Sequence, residues 1–414
     1  FNLKYDMTLL TDRDSLMKYG YDETDLISNS ISLSRITENK SDRLEAYYFQ
    51  SLRTPIEKEP LIFPHFSRQV IGTFANGRLN LSNETSLLGL IEAEKKFLRL
   101  NQSINLYSRK ILSKGFMLGG SAGLSTSYYN LWERNDKSME KLSLHPVLSS
   151  DISFPLVRKN SKRTEIINPK IQIVYSPYQA MPANTNQDSI QVDFDRTNLF
   201  STNRFPGKDR QESGFWLNSG IEYTNYLKDN QSFGAELGQI FRITNFDQFT
   251  SFSGLKGGRS DLLLSSFFEH NPLIRITNSM LMTNNLELRR SETNLKYNSK
   301  KNIVSGTLLY STAAENIKKV GKITELSISA TTQIDDNWKS LFDIRHDITA
   351  NQTISTSLGL TFENECVDFS FNLSKRFGSS DNLPEDTLFE ISFDLGGFGK
   401  SKRTENGCNM NFSL

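Results

Sequence analysis

Long apolar runs are missing from this sequence. Across its 414 residues, the best stretches are as short as Leu262 to Leu264, whereas a membrane-spanning helix needs roughly 18 or more consecutive apolar residues. A transmembrane helix is therefore excluded. No charged segment followed by an apolar run marks a signal peptide either. The chain opens on Phe1 without an initiating Met, so we expect a mature piece or a fragment of a longer protein.

Cysteine and net charge are also scarce. Two Cys residues exclude a disulfide-dense scaffold and a cysteine-based metal cluster. Lys and Arg number 48 against 47 Asp and Glu, a net charge of +1. This balance excludes a nucleic-acid partner held by bulk charge. Apolar residues make up only 37%, but aromatics reach 11% with 28 Phe, a composition that favours β-structure over disorder.

The dominant pattern is an alternation of apolar and polar residues. It is clear in five stretches, which are Phe1–Leu9, Leu98–Leu106, Phe116–Leu124, Phe215–Tyr223 and Phe233–Phe241. Helical spacing has one contender, the stretch from Leu87 to Leu100. Alternation of this kind predicts strands, and we count roughly twenty candidates, many of about 9–12 residues.

Strand length and number favour a membrane location. Soluble strands average about 5–6 residues, whereas tilted membrane-spanning strands need about 9–11. The polar positions carry Asn, Ser, Thr, Gly, Asp and Arg, which suits a hydrated interior. Alternation alone leaves open whether the apolar face meets lipid or a second sheet. We predict an all-β fold, a large antiparallel transmembrane β-barrel in the outer membrane, with residues 1–414 in one domain.

Two hairpins set the predicted register. A two-residue turn at Asn364 and Glu365 would place apolar residues opposite each other, pairing Phe362 with Val367, Leu360 with Phe369 and Leu358 with Phe371. A three-residue turn from Asp335 to Asn337 would likewise pair Ile334 with Trp338, Ala330 with Phe342 and Ile328 with Ile344. The longest irregular segment runs from Pro177 to about Ser213 and is too long for a plain connection. We expect a functional or inward-folded loop there.

Signals for catalysis are weak. Gly119 to Gly123 matches G-x-S-x-G around Ser121, but that motif needs a strand–turn–helix context and here lies in an alternating strand. The four His residues are His65, His145, His270 and His346, and no two have metal-ligand spacing. We predict no enzymatic activity, no metal and no cofactor. From the residues alone, Cys366 and Cys408 either form a disulfide or remain as free thiols.

Several blocks nevertheless resemble one family, in the same order along the chain. The C-terminal block runs from Phe362 through Lys375-Arg376-Phe377 to the final strand Leu388–Leu395 and Gly396 to Gly399. The other blocks are Asp12–Tyr19, Leu44–Leu52, Ile167–Pro177 and, most specific, FDRTNLFSTNRFPGKDR from Phe194 to Arg210. This combination resembles the barrel portion of the LptD family of lipopolysaccharide-assembly proteins, particularly alphaproteobacterial members. Within the last block the family-like residues are Phe194, Asn203, Arg204, Phe205, Gly207, Asp209 and Arg210.

The resemblance implies an outer-membrane translocon. Such a barrel, with an LptE-type lipoprotein plug, receives lipopolysaccharide from an LptA-type periplasmic bridge through an N-terminal domain. It then releases the lipid into the outer leaflet through a lateral seam between its first and last strands. The last strand here would present Phe389, Ile391, Phe393 and Leu395 on one face. Compared with the family, the chain lacks the N-terminal jelly-roll and about six strands of a barrel of about 26.

The resemblance also bears on the cysteines. The family links cysteines near its N-terminus to a cysteine pair in this region of the barrel, and Cys366 occupies that place, with Val367 where a second cysteine might stand in the family. The partner of Cys366 would then lie upstream of this chain, which leaves Cys408 as a weak alternative.

Three other functions remain open at this point. A diffusion porin or uptake barrel for small solutes would share the strands and the polar interior. An outer-membrane hydrolase would use Ser121 or another serine with a histidine. A soluble β-sandwich or adhesin would bury the apolar face against a second sheet.

Overall fold

A computed structural model describes ten segments of the chain, which are residues 1–11, 26–52, 60–75, 77–92, 94–133, 138–190, 192–312, 322–364, 367–377 and 385–395. Asp12–Tyr19, Cys366 and Cys408 lie outside these residues, so the predictions that concern them stay predictions.

The described residues form 21 strands and two short 3-10 helices, Ser113–Gly115 and Ala183–Thr185. The first strands are β1 (Asn2–Asp6), β2 (Leu26–Ile36), β3 (Lys40–Ser51), β4 (Leu61–Phe74), β5 (Leu79–Ile91), β6 (Lys95–Ile111), β7 (Met117–Glu133), β8 (Met139–Ser153), β9 (Leu156–Lys159) and β10 (Arg163–Ser176). The others are β11 (Gly214–Leu227), β12 (Gln231–Arg242), β13 (Leu262–His270), β14 (Ile274–Met282), β15 (Leu288–Asn298), β16 (Asn302–Ser311), β17 (Ile323–Gln333), β18 (Trp338–Asp347), β19 (Gln352–Glu363), β20 (Val367–Arg376) and β21 (Asp386–Leu395).

The prediction of an all-β, antiparallel fold with roughly twenty strands is confirmed. In the described part of the chain, no helix has the length and apolar character needed to cross a bilayer. The one helical contender is a hairpin, since Leu87–Leu100 spans the end of β5 and the start of β6 and Leu90 pairs with Phe97. Several strands are long, with 17 residues in both β6 and β7.

The chain divides into two compact units. The first contains Phe1–Val157, Ile166–Glu222 and Leu237–Leu262, and the second contains Arg158–Glu165, Tyr223–Glu236 and the chain from Leu263 onward. That the whole chain belongs to one barrel domain stays a prediction.

In the first unit, each strand from β1 to β8 pairs antiparallel with the next along the chain, and β8 also pairs with β10. In the second unit, the same pattern runs from β14 to β21. Most of the connections are short, and they favour consecutive antiparallel pairing because a hairpin needs only a few residues to reverse the chain.

One of the two predicted hairpin registers is confirmed and the other is wrong. The β17–β18 register is confirmed, because Ala330 pairs with Phe342 and Ile328 with Ile344. The β19–β20 register is wrong by two residues, because Phe362 pairs with Phe369 and not with Val367. Leu360 likewise pairs with Phe371, and Leu358 with Leu373. The chain reverses one residue later than predicted, since the backbone N–H of Asn364 donates to the carbonyl of Val367 at 3.0 Å.

At many positions the strands of the first unit bury polar residues and expose apolar ones, although Phe97 of β6 is also buried. On β6, Asn101 is fully buried, whereas Leu98 and Leu100 are 40% and 47% exposed. On β8, Ser143 is buried, but its neighbours Leu142 and Leu144 are exposed. A soluble sheet shows the opposite distribution, whereas a sheet with its outer face in lipid shows this one.

Candidate functional site

The buried polar face of the first unit is overlaid by the predicted irregular segment, residues 177–213, which we call the covering segment. It contains no strand among its described residues and a single 3-10 turn, Ala183–Thr185. Its side chains bond with β5, β6, β8 and β11 of this unit. The interpretation as an inward-folded loop therefore fits its placement, and we treat it with its strand contacts as the candidate site.

A buried ion-pair triad joins the covering segment to β12. Arg204 Nη1 donates to Glu212 Oε2 at 2.7 Å, and Arg242 Nη2 donates to the other oxygen, Oε1, at 3.0 Å. All three side chains are almost completely buried. A buried carboxylate needs compensation for lost hydration, and here two guanidinium groups provide it.

Arg204 is held by further acceptors. Its Nε donates to the carbonyl of Asn198 at 3.0 Å, and its Nη2 donates to Asn218 Oδ1 at 2.8 Å. Asn218 on β11 donates in turn to Gln172 Oε1 on β10 at 2.8 Å. The guanidinium thus connects the covering segment with two strands, in a geometry that lysine could not reproduce.

A second triad joins the covering segment to β6. Arg99 Nη1 donates to Asp188 Oδ2 at 2.6 Å and to Asp209 Oδ1 at 2.7 Å. Asp209 Oδ2 accepts the backbone N–H of Gln187 at 2.8 Å, and Asp188 Oδ1 accepts that of Lys208 at 2.9 Å. The two aspartates therefore tie the early and late parts of the segment to one strand residue.

The pKa values of the two aspartates of this triad are shifted in opposite directions. Burial raises the pKa of Asp209 above its ordinary value, although Arg99 opposes the shift. Burial acts in the same direction on Asp188, but Arg99 and the Lys208 backbone N–H outweigh it, so the pKa of Asp188 is lowered. Asp188 is therefore the carboxylate whose charge is favoured by the fold.

Asn203 and Gly207 shape the turn of the covering segment. Asn203 Nδ2 donates to the carbonyl of Phe205, and its Oδ1 accepts the N–H of Glu212 at 2.9 Å. Gly207 adopts a φ of +86° beside Asp188, and a Cβ there would overlap the Asp188 carbonyl. Only glycine meets both demands at this position.

Two guanidinium groups pack against a pair of stacked aromatic rings. Phe205 and Phe249 lie parallel, with ring centroids 4.9 Å apart. The Arg210 guanidinium lies 4.0 Å from the Phe205 centroid, and that of Arg242 lies 4.7 Å from the Phe249 centroid. Such cation–π contacts strengthen when they are desolvated. Phe194, the first residue of the family-like block, is also buried, and its backbone N–H donates to the carbonyl of Ser253 at 2.8 Å.

Leu199 occupies a hollow formed by two glycines of consecutive strands, Gly220 on β11 and Gly238 on β12. A Cβ at Gly238 would overlap the δ-methyl groups of Leu199, and one at Gly220 would press on Leu199 and Phe200. Leu199 itself is fully buried. Close packing against Leu199 therefore explains why glycine stands at both positions.

A cleft of about 380 Å³ lies beside the triads in the same unit. Its walls include His145 on β8, then Tyr178, Gln179, Arg210 and Gln211 from the covering segment, and Gln248 from the connection after β12. Met181, Pro182 and Asp209 also line it, so the cleft combines polar and apolar groups. The Asp209 carboxylate is bonded to Arg99, and Arg210 is the one guanidinium among the described lining residues.

The remaining predicted residues lie elsewhere. Ser121 lies within β7, and its hydroxyl lies 2.6 Å from that of Ser149 on β8, so the strand–turn–helix context of a hydrolase serine is lacking there. The predicted last strand, Leu388–Leu395, is observed as β21, and Ile391 and Phe393 pair with Phe371 and Phe369.

Sequence reasoning missed the partners of the covering segment. Arg99 and Arg242 stand in alternating strands where a polar residue is expected, so nothing distinguishes them from solvated arginines. Asp188 and Glu212 lie inside the predicted irregular segment but outside the family-like residues. Glu212 follows that block by two residues, which is the only local signal that could have suggested it.

The two triads can hold the covering segment in a fixed position against the strands. Its buried ions are paired and its turn is closed by Asn203, so movement of the segment would expose unpaired charges. Within the described residues, no group of three His, Cys, Asp or Glu side chains could hold a metal ion.

Comparison with known proteins identifies the family. The profile of the family described as LPS transport system D (LptD) matches residues 1–338. An LPS-assembly protein LptD from Saccharophagus degradans is 25% identical over 284 residues, which cover 61% of this chain and 33% of that protein. LptD from Escherichia coli K12 is 22% identical over 256 residues, covering 56% of this chain and 32% of that protein. The chain thus spans about a third of the length of these relatives.

Solved structures give more distant similarities. The siderophore receptor PirA from Pseudomonas aeruginosa has a TM-score of 0.45 at 10% identity, covering 89% of this chain and 69% of the receptor. PirA from Acinetobacter baumannii has a TM-score of 0.42 at 9% identity, covering 90% and 70%. The family match is the informative comparison, because it extends over most of the sequence. The chain belongs to the LptD family.

Proposed function

We propose that this chain forms part of an outer-membrane translocon that inserts lipopolysaccharide into the outer leaflet through a lateral seam. One observation carries the proposal: a member of the LptD family exposes apolar residues and buries polar ones on its strands. The apolar face meets membrane lipid, and the polar face borders a hydrated path for the saccharide.

The outer membrane is the compartment that fits these strands. β6 and β7 exceed the length that a tilted strand needs to cross the hydrocarbon core. Leu142, Leu144 and Leu148 are exposed in succession on one face of β8, an arrangement that water would disfavour and lipid acyl chains stabilise.

The covering segment serves as a fixed wall of the path. Its triads hold Asp188, Asp209 and Glu212 against the strands, so the segment occupies space without forming a regular element. Transport by this wall needs no covalent chemistry, and we propose that the chain acts without catalysis or a cofactor.

The last strand belongs to the seam in this proposal. Phe389, Ile391 and Phe393 of β21 are 58%, 58% and 62% exposed, and Phe389 contacts Phe371 of β20 edge-to-face at 4.8 Å. Leu395 continues the same alternation and pairs with Val367. An apolar strand face at the seam would let acyl chains leave sideways into lipid.

The partners follow from the family. An LptE-type lipoprotein would plug the barrel, and an LptA-type bridge would deliver lipopolysaccharide to the part of the protein that precedes this chain. The partner of Cys366 would lie in the same upstream part. These assignments are proposals, since the relatives are about three times as long as the match.

The test is depletion of the full-length protein in its source bacterium. With the gene under a repressible promoter, we expect lipopolysaccharide to disappear from the cell surface and to accumulate in the inner membrane. Unchanged surface lipopolysaccharide, with the protein shown to be absent, would contradict the proposal and favour a solute porin. Re-expression of the full-length gene is the control.

A further inference from the structure

The cleft beside the triads contains one buried side-chain atom without a hydrogen-bond partner among the described residues. His145 is 5% exposed and lines the cleft, and its Nδ1 has no hydrogen-bond partner among the residues that the structure describes. Leaving a buried polar atom unpaired costs free energy. A ligand that bonds with this nitrogen would remove that cost.

Two amides add hydrogen-bonding capacity to the cleft. Gln179 Oε1 accepts from Ser143 Oγ at 3.3 Å and from the Leu144 N–H at 3.0 Å. These bonds fix the side chain and leave its two amide N–H donors available. Gln211 also lines the cleft, and its amide supplies both a donor and an acceptor. Such amides bind hydroxyl groups well, because they donate and accept at neighbouring atoms.

Arg210 gives the cleft a cation without a carboxylate partner. Its Nη2 donates to the carbonyl of Gln248 at 3.2 Å, and its planar group stacks on Phe205. Burial lowers the pKa of Arg210, but an arginine guanidinium keeps its proton in a folded protein. No described carboxylate forms an ion pair with it. Its fixed, partly desolvated guanidinium is therefore suited to an anionic group of a ligand.

Tyr178 provides an apolar surface at the mouth of the cleft. One side of its ring stacks on Phe246 with centroids 4.5 Å apart, and the residue is still 56% exposed. A ring supported on one side and open on the other can pack against the C–H face of a sugar.

We propose that this cleft binds an anionic saccharide unit, with the acidic group at Arg210, hydroxyls at Gln179, Gln211 and His145, and the sugar face on Tyr178. The volume of about 380 Å³ lies within the range of small-molecule sites and exceeds what a lone phosphate would fill. That the saccharide belongs to transported lipopolysaccharide rests on the proposed function. The cleft would then be a binding site along the path that the saccharide follows.

The test uses purified full-length protein with its lipoprotein partner in detergent. Saturation-transfer NMR titrations would use D-galacturonate, D-galactose and inorganic phosphate as probes. We expect galacturonate to bind more tightly than galactose, and phosphate to compete weakly. Arg210→Gln should weaken galacturonate about tenfold and remove its advantage over galactose. Tyr178→Ala should weaken both sugars.

Tyr175→Ala is the matched control. Tyr175 is 50% exposed and also contacts a phenylalanine, Phe215, but it does not line the cleft, so its loss should leave binding unchanged. Heat-dependent migration on a gel verifies folding. Arg210→Met, which also removes the charge, and Tyr178→Leu replace any variant that fails this check.

Three outcomes would overturn the inference: no galacturonate binding by the wild type, phosphate binding equal to that of galacturonate, or unchanged binding in folded Arg210 and Tyr178 variants. Surface lipopolysaccharide, measured by the depletion experiment, separates the two proposals. Normal delivery without sugar binding would contradict only the cleft, whereas sugar binding without any role in delivery would contradict only the proposed function.

Discussion

Arg204 and Glu212 form an ion pair of 2.7 Å in which neither side chain is exposed to solvent. The other Glu212 oxygen binds Arg242, so one carboxylate compensates two buried guanidinium groups. Removal of one partner from a buried pair is more damaging than replacement of the whole pair, because the remaining charge stays desolvated.

Glu212→Gln should therefore destabilise the protein by about 3–5 kcal/mol. The amide keeps the size of the side chain but leaves Arg204 and Arg242 without a counter-ion. Denaturant titration of the full-length protein in lipid vesicles measures the change in the free energy of unfolding. Glu222→Gln is the control, because Glu222 pairs with Arg196 at an exposed site, where we expect a loss below about 1 kcal/mol. Equal losses in the two variants would contradict the role of the triad.

Asp188 in the Arg99 triad predicts a loss of stability in acid. Since the pKa of Asp188 in the folded protein is lower than its ordinary 3.8, its ionised form stabilises the fold. This contribution is complete above the ordinary value and is lost as the pH falls through the lower folded-state value. The free energy of unfolding, measured between pH 7 and the lowest pH at which the protein refolds, should fall less steeply in Asp188→Asn than in the wild type. Parallel pH profiles would contradict the prediction.

Gly207→Ala tests the turn of the covering segment. Its positive φ costs an alanine about 1–2 kcal/mol, and overlap with the Asp188 carbonyl adds a packing penalty of about 1–3 kcal/mol. Gly77→Ala is a matched control, because Gly77 has a similar φ of +79° but no atom near its added Cβ. Thermal or denaturant unfolding should rank Gly207→Ala as the more damaging change. If the two variants are equally stable, the close approach of residue 207 to Asp188 does not contribute to the free energy of unfolding.

The exposed apolar face of β8 tests the membrane contact. Leu148→Lys should cost about 2–4 kcal/mol in vesicles if this side chain lies near the middle of the bilayer. Leu148→Met changes shape without charge and should cost less than about 1.5 kcal/mol. A lysine variant as stable as the methionine variant would show that residue 148 faces water.

The alternation of residues predicted most of the strands because a strand in this protein has two chemically distinct faces. It predicted the β19–β20 register less well, since the position of the turn depends on a local bond that alternation does not encode: the Val367 N–H donates to Asn364 Oδ1 at 2.7 Å. The error was an even number of residues, so each side chain still lies on its predicted face.

The site was predictable only in part. The covering segment was identified by its length and by the block from Phe194 to Arg210, whose members prove to be buried, turn-forming or stacked residues. Its partners were not, because Arg99 lies 110 positions from Asp209 and a polar residue on an alternating strand has no feature that specifies its contact. Tertiary pairing of this kind depends on which strand the segment crosses.

The hollow beneath Leu199 also bears on assembly. Its two glycines belong to consecutive strands, and two positions away on the same faces stand larger side chains, such as Asn218 beside Gly220 and Ile240 beside Gly238. If one strand slid along the other by two residues, the faces would be preserved but Leu199 would meet a side chain instead of a gap. We therefore expect the covering segment to dock only on the aligned strands, so that its docking favours the native register over the shifted one.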